Sequence, residues 1–278
     1  MCILPAPGVY EPVASDHECT ARIQVCPARV RGVANRCFTN ASTLPDVTTL
    51  WSTMKNSFTY PIDAVLLLGP TGVGKSPLGD AIASKGLFGR RCHHLDFGAE
   101  LRSAILDKER SGAYSEEELA FIHGVLERGL LLENEHFSLA AKIISLFLER
   151  VGFSGREVLV LNGLPRHTGQ ARDMAGIARI HAVIVLECSA DDVVFRIRDN
   201  VGGDRTGRAD DHHDLIEKKL ALFRERTEPL IGHYEDRGSV VYRIGSSALT
   251  TTDQAYQQLL LLSAAHPPVA FIAEPPKR

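Results

Sequence analysis

A three-layer α/β architecture, with a parallel sheet of about five strands covered by helices on both faces, follows from three features of the 278-residue chain. Short continuous Val/Ile/Leu runs recur along it, segments with helical spacing separate them, and the first run ends in a glycine-rich turn that opens a helix. With 44% hydrophobic residues the chain can bury a full core. No internal repeat interrupts the alternation.

Residues 1–58 mix Pro, Cys, Thr and Arg without either periodicity and are read as a poorly ordered extension. The first strand is 63–68, DAVLLL, and helical spacing follows over 75–85. A weaker apolar run ends at Asp96, after which helices are expected over 99–109, 115–128 and 134–151. The runs 157–161, 182–187 and 240–244, rich in Val, Ile and Leu, supply three more strands, and continuous apolar strands between helices argue for a sheet covered on both faces. Helices at 168–178, 190–199, 211–236 and 251–264 complete the pattern. The folded domain therefore spans 59–265. The tail 266–278, HPPVAFIAEPPKR, carries four prolines and should leave it as an extended strap.

A net charge of -3 gives no bulk attraction to nucleic acid or to acidic membranes, so anions must be held by locally placed cations and the partner should be a small molecule. Six cysteines at 2, 19, 26, 37, 92 and 188 include no CxxC pair, which argues against a zinc site and for reduced thiols. No stretch reaches the ~18 apolar residues of a membrane span, and no basic segment precedes an apolar leader. A cytoplasmic monomer is the expectation.

The stretch Gly69-Pro70-Thr71-Gly72-Val73-Gly74-Lys75-Ser76 satisfies GxxxxGK[ST], the Walker A pattern, in its required setting between a strand and a helix. Its glycines turn backbone N–H groups inward, the helix start adds partial positive charge, Lys75 reaches outer phosphates and the Ser76 hydroxyl suits Mg²⁺. Pro77 falls in the first helical turn, where its missing N–H is tolerated. ATP and Mg²⁺ are the implied cofactors, but the loop alone does not name the phosphate's destination.

Three later stretches narrow it: HHLDFGAELRSA (93–104), LVLNGLPRHTGQA (159–171) and GRADDHHDLIEKKL (207–220). With FRERTEPLIGHYEDRG (223–238), they make the chain from about Ala64 to Gly245 resemble the adenylate kinase family of nucleoside monophosphate kinases. The resemblance implies a P-loop NTPase fold with strand order 2-3-1-4-5, a helical acceptor-binding part over 97–152 and a short lid over 200–207. It implies that the loop through Pro77 holds ATP with Arg196 over the donor adenine. Arg102 and Arg166 would grip the acceptor monophosphate, Gln170 would face its base, and Phe97, Leu132, Gly163 and the backbone at Gly129 would border it. Arg208, ahead of Asp210 and Asp211, matches the lid arginine, and Lys219 stands where the family has another arginine. Such chemistry needs converging cations rather than a general base, so His93, His94, His212 and His213 are read as surface residues or as residues behind the ligand-contacting groups.

Departures from the family pattern matter as much. Phe97-Gly98-Ala99 replaces Thr-Gly-Asp, Asn162 replaces the Asp of Asp-Gly-Phe-Pro-Arg, and Asn200 stands where a second lid arginine is expected, with Arg198 and Arg205 nearby. Lys219 keeps charge but loses the bidentate fork. Asp96, at the end of the second strand, is the further candidate metal ligand, with helix capping as its alternative role. Two other functions stay open: a P-loop kinase of a non-nucleotide small molecule, for which Asp96 would be the base, and a catalytically weak ATP-binding regulatory protein.

Overall fold

The computed structural model describes residues 61–204 and 213–272. Residues 1–60, 205–212 and 273–278 therefore lie outside the described residues, and with them the expected extension, Arg205, Arg208, Asp210, Asp211, His212 and the end of the expected lid. Strands β1 (Ile62–Leu68), β2 (Cys92–Asp96), β3 (Val158–Asn162), β4 (Ala178–Glu187) and β5 (Val240–Gly245) form one sheet in the order β2-β3-β1-β4-β5. Every pairing is parallel. This is the strand order expected of a P-loop NTPase.

The continuous apolar strands make sense because both sheet faces are covered. In β1, Ala64, Leu66 and Leu68 enter one hydrophobic layer while Val65 and Leu67 enter the other. Helices α1 (Lys75–Lys85) and α10 (Thr252–Ala265) close the second layer with Leu78, Ile82, Tyr256 and Leu259. The first is closed by α2 (Phe97–Leu106), α4 (Glu116–Arg128), α5 (Phe137–Arg150) and α6 (Thr168–Met174). Between α2 and α4 lies the short α3 (Lys108–Ser111). Each fully buried Leu or Ile here contributes about 1.5–3 kcal/mol. Helix starts are sealed locally: Ser115 and Thr251 form capping boxes with Glu118 and Gln254, each worth about 1 kcal/mol.

Several boundaries differ from the expectation for identifiable reasons. β4 begins at Ala178 rather than 182, because its opening residues alternate buried and exposed and so lack a continuous apolar run. The helix expected to reach 178 stops at Met174, and the Ile177 carbonyl instead accepts from Ile62 N at 2.9 Å. The single helix expected over 211–236 is broken into α8 (His213–Leu222), a π-turn (Phe223–Thr227) and α9 (Leu230–Glu235). Pro229 sits at the break and has no N–H for the α-helical ladder. α7 (Ala190–Arg198) packs Val193 and Ile197 against Ile216 of α8.

The tail does not leave as a strap within the described residues. Val269–Ile272 form a short helix, α11, and Phe271 stacks on Phe88 with ring centroids 4.7 Å apart. The His266 carbonyl accepts from the Tyr242 hydroxyl at 2.5 Å. Proline content predicted extension, but the aromatic residue between the prolines found a partner.

α1 crosses β2 closely because residue 79 is glycine. A Cβ there would lie 2.3 Å from His94 Nε2, and the His94 ring is pinned by Asp80 Oδ1 at 2.8 Å with 4% of its side chain exposed. Gly79→Ala should therefore destabilise the protein by about 1–3 kcal/mol, although Ala gains about 1 kcal/mol in helix propensity. A urea midpoint unchanged or raised in this variant would refute the close-packing account.

Candidate functional site

The glycine-rich loop leaves β1 at Leu68 and enters α1 at Lys75. Gly74 caps the helix at φ 107°, a left-handed conformation that a side chain resists. Gly72 lies under α7, where a Cβ would meet Ile197 Cγ1 at 2.4 Å. Val73 points into the core at 1% exposure, so only its backbone faces the loop's interior. Lys75 Nζ donates to the carbonyls of Gly69 and Pro70 at 2.8 and 2.6 Å, which keeps its ammonium on the loop.

Asp96 and Asn162 are register partners at the ends of β2 and β3. The Ser76 hydroxyl donates to Asp96 Oδ2, and Asn162 Nδ2 donates to both, at 3.1 Å to Asp96 Oδ2 and 3.2 Å to Ser76 Oγ. Asp96 Oδ1 accepts from Ala99 N at 2.9 Å and caps α2. The two sequence-level roles of Asp96 thus fall on different oxygens of one carboxylate. Burial pushes its pKa up, but the bonds from Ser76 and Ala99, with the nearby His94 and Arg102, outweigh burial and hold it below the ordinary 3.8. An ionised carboxylate beside a hydroxyl at a phosphate loop is a hard oxygen donor set, and it fits Mg²⁺.

One cavity joins this cluster to α2, α4 and the segment that follows β3. Lys75, Ser76, Asp96, Arg102, Arg166 and Lys219 all border it. Its other wall is an apolar shelf of Phe97, Leu101, Val125, Leu126 and Leu132. Burial lowers the Arg166 pKa below the usual guanidinium value, against the opposing pull of Asp96. It remains a guanidinium, and a desolvated cation of this kind favours an anionic ligand. Gly163, at φ 84°, lets the chain turn past Phe97 towards Arg166.

Gln170 and Arg196 are more constrained than the sequence suggests. Gln170 is 1% exposed, its Oε1 accepts from Arg166 N at 2.8 Å, and its Nε2 donates to Leu132 O at 2.8 Å. One amide hydrogen remains for a ligand. Arg196, 5% exposed, donates from Nε to Gly72 O (3.3 Å) and from Nη1 to Ser247 O (2.8 Å) and Thr250 O (2.9 Å). It ties the phosphate loop to the turn after β5. It does not border the cavity that holds Arg102 and Arg166. Pro77 lies outside that cavity too, beside Gly202.

Sequence reasoning missed His167, Thr227 and Asp204. His167 is 6% exposed, caps α6 by accepting from Gln170 N, and sets Nε2 3.1 Å from Leu132 O. Its position just ahead of a helix was the available signal, though His is a rare cap. Thr227 carries no motif, and Asp204 borders the cavity beyond α7. Among the described residues no helix is long and apolar enough to cross a membrane, and no cluster of three His, Cys, Asp or Glu gathers for a metal.

No family model matches the chain. Its sequence is 28% identical to an adenylate kinase of Thermus thermophilus over 201 residues, covering 70% of this chain and 94% of the relative. An adenylate kinase of a Synechococcus species is 29% identical over 183 residues, 63% of this chain and 86% of that one. Among solved structures, a gluconokinase from Sinorhizobium meliloti 1021 aligns over 77% of this chain and 99% of its own, with 16% identity and a TM-score of 0.40. That likeness is too distant to argue from.

Proposed function

The chain is a divergent adenylate kinase-like P-loop kinase, a phosphotransferase, and on that premise we propose that it moves the γ-phosphoryl group of ATP to a nucleoside monophosphate. The observation that carries this reading is the cavity in which Arg102, Arg166 and Lys219 join the Lys75–Ser76 loop beside an apolar shelf. The arginines suit an acceptor that is itself a phosphate, and the shelf suits a flat base.

In this reading the loop's N–H groups and Lys75 hold the donor phosphates. Arg102 and Arg166 hold the acceptor phosphate so that one of its oxygens lies in line with the γ-phosphorus. That oxygen forms the new P–O bond as the bond from the γ-phosphorus to the β–γ bridging oxygen breaks, giving ADP and a nucleoside diphosphate. Ser76 and Asp96 would hold Mg²⁺, which supplies charge neutralisation across the donor phosphates. Lys219, and Arg208 beyond the described residues, would add positive charge around the transferred group.

A hydroxyl acceptor would need a base, and the obvious carboxylate is poorly suited. Asp96 is committed to Ser76, Asn162 and Ala99, and its pKa is lowered rather than raised. The test is a coupled ADP-release assay with Mg-ATP against AMP, CMP, UMP, GMP and dTMP. Turnover is expected with at least one. ATP binding without turnover on any of the five would remove the nucleotide-acceptor reading.

A further inference from the structure

Thr227 closes the π-turn between α8 and α9. Glu228 N donates to Phe223 O at 2.8 Å, five residues back, so this turn holds one residue more than an α-helical turn. An extra residue rotates the chain beyond it by about 100° relative to a straight helix. Thr227 is 2% exposed, and its hydroxyl donates to Arg166 O at 2.8 Å. Its neighbour Arg226 makes a two-bond pair with Glu133, at 2.5 and 2.8 Å.

These contacts complete a circuit around the acceptor side of the cavity. The Arg166 carbonyl is held by Thr227 and its N–H by Gln170 Oε1. Gln170 Nε2 and His167 Nε2 both donate to Leu132 O. Leu132 adjoins Glu133, and Glu133 returns through Arg226 to Thr227. The Arg166 backbone is therefore bonded at both of its polar groups, whereas among the described residues its guanidinium makes no hydrogen bond. Thr227, Arg226 and Glu133 do not border the cavity.

We propose that Thr227 is a positioning residue that aims Arg166 at an anionic phosphate, acting through the Arg166 backbone without touching the ligand. The proposal rests on the reading of Arg166 as an anion ligand. The π-turn ends on Thr227, whose hydroxyl reaches the Arg166 carbonyl. The π-turn thus has a consequence for the site and not only for helix continuity.

The test is a double-mutant cycle with the donor site filled by a non-hydrolysable ATP analogue, titrating inorganic phosphate and the five monophosphates. Thr227→Val, which keeps the shape and removes the hydroxyl, should weaken anion binding about tenfold. Thr227→Ser should restore it to within about twofold, and Thr227→Val should add nothing in an Arg166→Ala background. Affinity for the analogue should not change. Wild-type anion affinity in Thr227→Val, a fully additive loss in the Arg166→Ala background, or an equal loss of analogue affinity would each overturn the proposal. So would a wild-type protein that binds none of the anions. Binding of phosphate but of no monophosphate, with the cycle intact, would uphold the positioning role and remove the nucleotide acceptor instead.

Discussion

Lys75→Ala is expected to leave about one thousandth of wild-type kcat, because one preorganised cation on the transferring phosphates is worth about 10²–10³ and the loop's N–H groups cannot substitute for it. The fold should survive. Lys75 Nζ donates to two loop carbonyls, Gly69 O and Pro70 O, and the side chain is not part of either hydrophobic layer. Arg166→Ala should separate from it kinetically. Removing the acceptor-side cation should raise the acceptor KM and lower kcat while leaving ATP affinity within about twofold, since the donor phosphates keep the loop. The measurement is the coupled ADP-release assay with thermal melts of all three proteins. Lys75→Ala with more than about a tenth of wild-type kcat would mean the loop does not act on the transferred phosphate in the way its sequence implies.

The layered architecture was legible in the chain because fully buried strands leave a composition signature that needs no partner to be read. Leu66 and Leu67 face opposite layers, yet both are apolar. The phosphate loop was legible for a similar reason, since its residues are adjacent in sequence and its geometry is local. What escaped was relational. Nothing in the sequence shows that Gln170 holds Arg166 N and Leu132 O with the two ends of its carboxamide, leaving one amide hydrogen. Arg196 lies far along the chain from the carbonyls of Ser247 and Thr250 that take its donors, and no spacing announces them. The π-turn at Phe223–Thr227 was hidden because helical periodicity tolerates one extra residue. Only Pro229 marked the place, and it was absorbed into a longer helix.

Asp96→Asn is the second substitution with a large expected effect, and it isolates one oxygen of the side chain. Asn caps helices about as well as Asp, so the bond from Ala99 N to Oδ1 can persist and α2 should keep its start. What is lost is the negative charge at Oδ2, next to the Ser76 hydroxyl and the Asn162 amide. With Asn already at 162, no carboxylate would remain at this junction of β2 and β3. Divalent-ion affinity of the complex with a non-hydrolysable ATP analogue should fall about 10–100-fold, read as Mn²⁺ binding by electron paramagnetic resonance. Stability supplies an independent reading. The folded pKa of Asp96 lies below its ordinary 3.8, so its contribution is fully present above 3.8 and disappears as pH falls through the lower folded value. Asp96→Asn should accordingly flatten the acid limb of the stability curve below pH 3.8. Asn162→Asp on this background returns a carboxylate to the neighbouring strand end, and recovery of Mn²⁺ affinity there is the expected outcome. If Asp96→Asn binds Mn²⁺ as the parent does, Asp96 is a helix cap alone and the metal is held by the phosphates and Ser76.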